Sequence, residues 1–177
     1  EANALPLSYT RLGTANLENN IEIRYLCTDF VQNFWFGLKK VPIFNRLRKA
    51  MKTALVQMDI VWGDVRKNIE KAKNQIGLCP GADIYVLPEM FSTGFNGDCE
   101  TEPAQGLKAM QEIARERECA VAGSIAVELQ NGAKVNRFYF VTPDSIQYYD
   151  KKHLFTYSGE HRNFSGGDSG VVVEWKG

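Results

Sequence analysis

Three places in the chain set a reactive side chain in a pattern that would hold it still. Glu89 stands in VLPEMFSTGF (86–95), where an apolar run passes through a proline straight into a lone acid. A carboxylate at the mouth of a buried strand is costly unless it is paired or used. Desolvation there raises its pKa toward the range of a general base near neutrality. Read alone, Glu89 is equally well a surface acid just past a strand end. Lys151, Lys152 and His153 lie between YYD and LF. Strand alternation would send Lys151 and His153 to one face and Lys152 to the other, so that one lysine faces the interior. The competing reading is an edge strand guarded by charge. The third place is SGEHRNFSGGDSG (158–170), a polar Gly-rich loop containing Glu160. It lacks the Walker spacing and no helical pattern follows it, so a phosphate loop is not expected.

The elements that must position these residues are legible from Met51 onward. TALVQMDI (53–60) reads as a strand, and Trp62-Gly63-Asp64 as a turn ending in a helix cap. Val65, Ile69, Ala72 and Ile76 recur at helical spacing, with Gly77 as the stop. ADIYVLP (82–88) reads as a buried strand, and Leu107, Met110, Ile113 and Ala114 as the inner face of a second helix. Strands are then expected at 119–128, 135–141, 145–155 and 171–175, with a turn at Gln130-Asn131-Gly132. Helices come first and hairpins follow, which predicts a mixed sheet with helices on one face.

Composition narrows the partners. The chain has 177 residues, enough for a domain with a real core, and 21 Lys/Arg balance 21 Asp/Glu. Without a basic excess a nucleic-acid partner is not expected. No apolar run approaches the roughly 20 residues that span a bilayer. Four cysteines without a CxxC pair, and two histidines, do not suggest zinc. No secretory signal opens the sequence, and a reducing cytoplasm is the expected compartment. Residues 1–50 differ from the rest: seven Lys/Arg against four Asp/Glu give a net charge of +3, leaving 14 against 17 beyond them. Residues 30–50 mix Phe30, Phe34, Trp35 and Phe36 with Lys39, Lys40, Arg46 and Arg48, but Pro42 interrupts them and no period appears. One reading is a basic amphipathic segment for a membrane or a partner. The reading adopted is an extension outside the domain, which starts at Met51.

Taken together, MKTALVQMDIVWGD, VLPEMFSTGF, AGSIA with VNRFYFV, YYDKKHLF, GEH and VVVEWKG resemble the nitrilase, or carbon–nitrogen hydrolase, superfamily, and within it the omega-amidase (2-oxoglutaramate amidase) branch. The resemblance covers 51–177. It implies an α/β (α+β) fold, half of a four-layer α-β-β-α sandwich. It also implies a Glu-Lys-Cys triad, with neither metal nor organic cofactor. Glu89 then matches the general base and Lys151 the lysine that stabilises the oxyanion. Glu160 looks like the auxiliary glutamate. Phe91, Phe95 and Phe155 are candidate walls of the substrate pocket.

The pattern departs from the family at the nucleophile. The family's cysteine would lie shortly beyond a stretch like EWKG, where this sequence stops at Gly177. Cys119 opens a strand, Cys79 sits beside Pro80, Cys27 is outside the matched region, and Cys99 lies among carboxylates that would raise its pKa. None occupies the motif position. The resemblance therefore implies the N-terminal portion of an amidase for a small dicarboxylate monoamide, inactive as it stands. The alternatives are another C–N hydrolase of the superfamily, acting on a nitrile, a carbamoyl compound or a different amide, and a non-catalytic binding protein of the same fold. Homo-oligomers are usual in the family. Deleting residues 1–50 is expected to leave the melting temperature of the remainder unchanged. A large drop in thermal unfolding would show that the extension belongs to the domain.

Overall fold

The structure, a computed structural model, describes residues 51–176. The extension read at 1–50 and Cys27 lie outside the described residues. Among those described, the order is β1 (Thr53–Leu55), α1 (Val65–Leu78), β2 (Ile84–Val86), β3 (Glu100–Thr101), α2 (Gln105–Arg117), β4 (Ala120–Glu128), β5 (Lys134–Val141) and β6 (Ile146–Asp150). Two 3-10 turns follow at Thr156–Ser158 and Glu160–Arg162. The sheet runs β1-β2-β4-β5-β6, with β3 also on β4. It is mixed: β1, β2 and β4 run parallel, whereas β4, β5 and β6 are joined antiparallel.

The helices form where the apolar spacing requires them. Asp64 caps α1 by accepting from the Lys67 amide at 3.0 Å. The helix runs through Gly77, past the stop expected there, and ends at Leu78. The amide of Cys79 closes the last turn on the Ile76 carbonyl, and Pro80 has no N–H to continue it. The N-terminus of α2 is satisfied from outside the helix, where Gly106 N donates to Oε2 of the buried Glu100 at 2.9 Å.

Alternation along the strands divides the sheet into two faces. Tyr85, Val121, Ile125, Val127, Val135, Tyr139 and Val141 join Ala72 and Ile76 of α1 and Met110, Ile113 and Ala114 of α2 in one core. Burying each large apolar side chain contributes about 1.5–3 kcal/mol. On the opposite face, register aligns Ser124 with Phe138 and Phe138 with Tyr149. That face is partly open: Leu55 is 52 % and Phe138 39 % exposed. Helices on one face of a mixed sheet are what half of an α-β-β-α sandwich requires.

Three expected strands are shorter, β2 spanning only Ile84–Val86 and β6 only Ile146–Asp150, and a fourth is absent. β1 ends at Leu55 rather than residue 60, because its neighbour β2 ends at Val86, just before Pro88, and leaves nothing to pair with. Residues 171–175 form no strand among the described residues, and Val172 is 94 % exposed. A β-rich run makes a ladder only beside another strand. Instead the segment reaches back over the open face, with the Trp175 ring 6.2 Å from that of Phe140.

The neighbour of β4 is split, and this gap matters most for the site. β2 pairs with Ala120–Ala122 and β3 with Val127–Glu128, on parallel registers. Between them the chain bulges away. Gly123 permits the departure, since a Cβ there would stand 2.8 Å from that of Leu87. Met90 takes a positive φ of 48°, and its amide is caught by Ser124 Oγ at 2.9 Å. The bulge is then fastened to α1 by Asn68, which is fully buried. Its Nδ2 donates to the carbonyls of Val61 and Ser92 at 2.7 and 2.8 Å, and its Oδ1 accepts from Val61 N at 2.8 Å. Asn68→Ala would strand those backbone groups in the interior. It is expected to cost about 2–3 kcal/mol in chemical denaturation of the chain; a loss of only a few tenths would mean that water replaces the amide.

Candidate active site

Glu89 emerges from the split, immediately before the turn at Met90. Lys151 follows the last residue of β6, and Glu160 opens the second 3-10 turn. Residues 62 and 9 positions apart in sequence thus meet at one point. Lys151 Nζ lies 2.8 Å from Glu89 Oε1 and 2.9 and 3.2 Å from the two oxygens of Glu160. Lys152 points elsewhere and donates weakly to the Asp168 carbonyl at 3.4 Å. The split of the two lysines agrees with alternation, although the strand ends at Asp150 and does not run on to 155. His153 is exposed and takes no part.

A fourth residue joins the cluster that sequence reasoning missed. Asn136, buried on β5, donates from Nδ2 to Glu89 Oε1 at 2.7 Å and to Glu160 Oε1 at 3.1 Å. The signal was available in VNRFYFV. Two consecutive polar residues in an apolar strand must face opposite sides, so one of Asn136 and Arg137 had to lie on the face away from the helices.

The two glutamates are not equivalent. Glu160 is nearly buried, its side chain 9 % exposed, and both its oxygens are filled: Oε1 by Asn136 and Lys151, Oε2 by Lys151 and the Phe155 amide at 2.6 Å. Burial alone would raise its pKa, but the Phe155 amide, Lys151 and Asn136 outweigh burial and hold it below the ordinary glutamate value. Glu89 is 45 % exposed, so the deep burial expected of it is not found; the open face leaves it in contact with solvent. Its hydrogen bonds among the described residues all reach Oε1, which leaves Oε2 without a hydrogen bond among them. Burial pulls the Lys151 ammonium down, yet the bonds and charges of Glu89 and Glu160 more than offset this and its pKa is raised. Lys151 is therefore a cation throughout the neutral range.

Beside the cluster lies a pocket of about 300 Å³ lined by Leu87, Glu89, Ser124, Asn136, Phe138, Tyr149 and Lys151. The three phenylalanines proposed as walls do not line it. Phe91 is buried in the core against Gly106, because the turn at Met90 carries it to the helix side. Phe95 and Phe155 are 58 % and 59 % exposed. Phe155 contributes its backbone amide to Glu160 and not its ring to the pocket. None of the three described cysteines lines the pocket either. Cys79 caps α1, and Cys119 is buried at the start of β4. Burial pushes the thiols of both Cys99 and Cys119 upward, away from the reactive thiolate; at Cys99 the carboxylates of Glu128 and Asp98 add to the rise and Lys134 opposes it.

The Gly-rich loop proves to be a brace for this site. Ser165 N donates to the Lys134 carbonyl at 2.7 Å and Gly167 N to that of Lys151 at 3.1 Å. A Cβ on Gly166 would stand 2.9 Å from the Lys152 carbonyl oxygen, and one on Gly167 would run into that of Asp150. Backbone packed this closely leaves room only for glycine.

The family model described as carbon–nitrogen hydrolase matches residues 52–170. The chain belongs to the carbon–nitrogen hydrolase family. It is 36 % identical over 135 residues to the omega-amidase YafV of Escherichia coli (strain K12), covering 72 % of this chain and 51 % of that protein. It is 32 % identical over 133 residues to the 2-oxoglutaramate amidase of Bacillus subtilis (strain 168), covering 69 % and 50 %. The crystal structure of XC1258 from Xanthomonas campestris, a CN-hydrolase superfamily protein, superposes with a TM-score of 0.67 at 30 % identity, covering 71 % of this chain and 49 % of that one. The chain spans about half the length of the curated relatives it matches.

The electrostatics of Glu160 set a pH dependence. Its folded pKa is depressed below the ordinary glutamate value of 4.5, so its stabilising contribution is present above that value and is lost as pH falls through the depressed one. Below pH about 4.5 the melting temperature of the wild-type chain is therefore expected to fall more steeply than that of Glu160→Gln. Parallel acid limbs would show that Lys151 and Asn136 do not hold the Glu160 charge.

Proposed function

We propose that this chain carries the base and the oxyanion-stabilising lysine of an amidase, whose substrate is a small dicarboxylate monoamide such as 2-oxoglutaramate. The observation that carries the reading is Lys151 held between two carboxylates, one filled and buried, the other exposed with a free oxygen at a small pocket. The omega-amidase and 2-oxoglutaramate amidase relatives support the substrate class.

In this reading Glu89 takes the proton of a cysteine thiol, and the thiolate attacks the amide carbon. Negative charge develops on the amide oxygen and is stabilised by the Lys151 ammonium. Glu89 returns its proton to the nitrogen, the C–N bond breaks and ammonia leaves a thioester. Glu89 then takes a proton from water, whose hydroxide attacks the thioester; the C–S bond breaks, the departing thiolate takes the proton back from Glu89, and the carboxylic acid is released. Glu160 and Asn136 orient Lys151 and Glu89 without exchanging protons. In this reading the nucleophile is a cysteine beyond the described residues, since Cys79, Cys99 and Cys119 lie away from the pocket and burial raises the pKa of the last two.

The test is ammonia release from 2-oxoglutaramate by the longer polypeptide that supplies the second half. Glu89→Gln is expected to lower kcat by about 10²–10⁴-fold and Lys151→Ala by about 10²–10³-fold. Most of the turnover surviving either change would remove the assigned role. Robust release by the 177-residue chain alone would place the nucleophile within it. Turnover of nitriles or carbamoyl compounds in preference to the amide would move the substrate to another branch of the family.

A further inference from the structure

A partly buried ion pair stands directly behind the site, on the helix side of the sheet. Along that side β5 presents Val135, Arg137, Tyr139 and Val141, an apolar row broken by one cation. Arg137 is opposite Asp150 in the β5–β6 register. Its Nε and Nη2 donate to the two oxygens of Asp150 at 2.6 and 2.9 Å, a two-pronged fork, and Nη1 donates to Glu102 Oε1 at 2.7 Å. The guanidinium also lies 4.2 Å from the centroid of the Tyr148 ring. The Arg137 side chain is only 9 % exposed.

Each member of the fork is next in the chain to a residue of the site. Asn136 precedes Arg137, and Lys151 follows Asp150. The Lys151 amide donates to the Asn136 carbonyl at 2.9 Å, the bond that closes this end of the ladder. Two apolar side chains would fill the same space at little or no loss of stability, because a buried ion pair seldom adds net stability. What the fork adds is direction. Its two parallel bonds fix one register. A slip of one residue would turn Asn136 into the core and Arg137 onto the open face.

We infer that the Arg137–Asp150 fork is a positioning clamp that sets, through the β5–β6 backbone, where the side chains of Asn136 and Lys151 stand on the other face. Its bearing on turnover rests on the proposed role of Lys151. The readouts chosen below need no turnover, so a failed amidase assignment leaves them intact.

Amide hydrogen exchange and the alkaline titration of the Lys151 ε-carbon, both by NMR on the 177-residue chain, test the clamp. The Val56 amide, bonded to the Val86 carbonyl at 2.8 Å at the far side of the sheet, is the internal control. In Arg137→Met the Lys151 amide is expected to exchange on the order of tenfold faster or more, the size of one charge-assisted hydrogen bond, while Val56 changes little. The Lys151 titration is expected to move down toward the ordinary lysine value. Arg137→Lys keeps the charge but not the fork and should recover only part of both. If the unpaired Asp150 costs the fold, Arg137→Met/Asp150→Leu carries the same measurement without that charge, and Glu102, 35 % exposed, is left to water. Lys73→Met, which breaks the exposed pair with Glu112, should change neither readout at Lys151. Equal loss of protection at Lys151 and Val56 would overturn the clamp, since that is what a merely structural pair would give. So would an unchanged Lys151 titration in a folded variant.

Discussion

Two carboxylates share one ammonium, and the rest of the described structure is arranged so that they can. Glu89 and Glu160 repel each other unless a cation lies between them, and Lys151 Nζ reaches both within 3 Å. One cation cannot neutralise two anions. The remainder is met by neutral donors, the amide of Asn136 and the backbone N–H of Phe155, which add partial positive charge without adding a proton to lose. The Phe155 amide, Lys151 and Asn136 together hold the charge of the buried Glu160, while Glu89 stands half-exposed at the pocket. A single cation thus serves two acids with different duties.

The sheet makes this possible by failing to be continuous. Had β2 run unbroken along β4 into β3, position 89 would sit in a ladder, its side chain fixed by alternation. The break after Val86, the close passage of Leu87 over Gly123 and the left-handed Met90 push the chain out instead. Non-glycine residues with positive φ cost about 1–3 kcal/mol and collect at sites where geometry matters more than local comfort. Here Ser124 and Asn68 hold the bulge in place from two directions, one from the sheet and one from α1. On the other side of the site, the glycines of 165–167 lie against the carbonyls of 150–152, so that Lys151 leaves β6 through a gap with no slack.

The open face and the site are one surface. Phe138 and Tyr149 line the pocket and continue into the apolar face on which Val171, Val173 and Trp175 rest. A pocket with Glu89 45 % exposed is a shallow electrostatic environment compared with a closed one, since water screens charges that a dry cavity would not. The chain holds about half the length of the curated relatives it matches, and its site residues crowd toward the face that the helices leave uncovered.

The sequence by itself determined the two helices, the long strands β4 and β5 and the identity of the charged residues that meet. Val65, Ile69, Ala72 and Ile76 at helical spacing, and the apolar runs at 119–128 and 135–141 bounded by a turn, are local patterns whose cause is local. Glu89, Lys151 and Glu160 could be named because the stretches around them resemble the family's motifs. Tertiary structure decided the rest. Whether 171–175 becomes a strand depends on a neighbour, which no propensity supplies. Whether Phe91 walls a pocket or fills a core depends on one backbone angle at Met90. Asn136 became part of the site, and Glu89 half-exposed, only when three segments far apart in the chain were brought together. Hydrogen bonds between such segments depend on distance and direction in space, and neither is written in the spacing of residues along the chain.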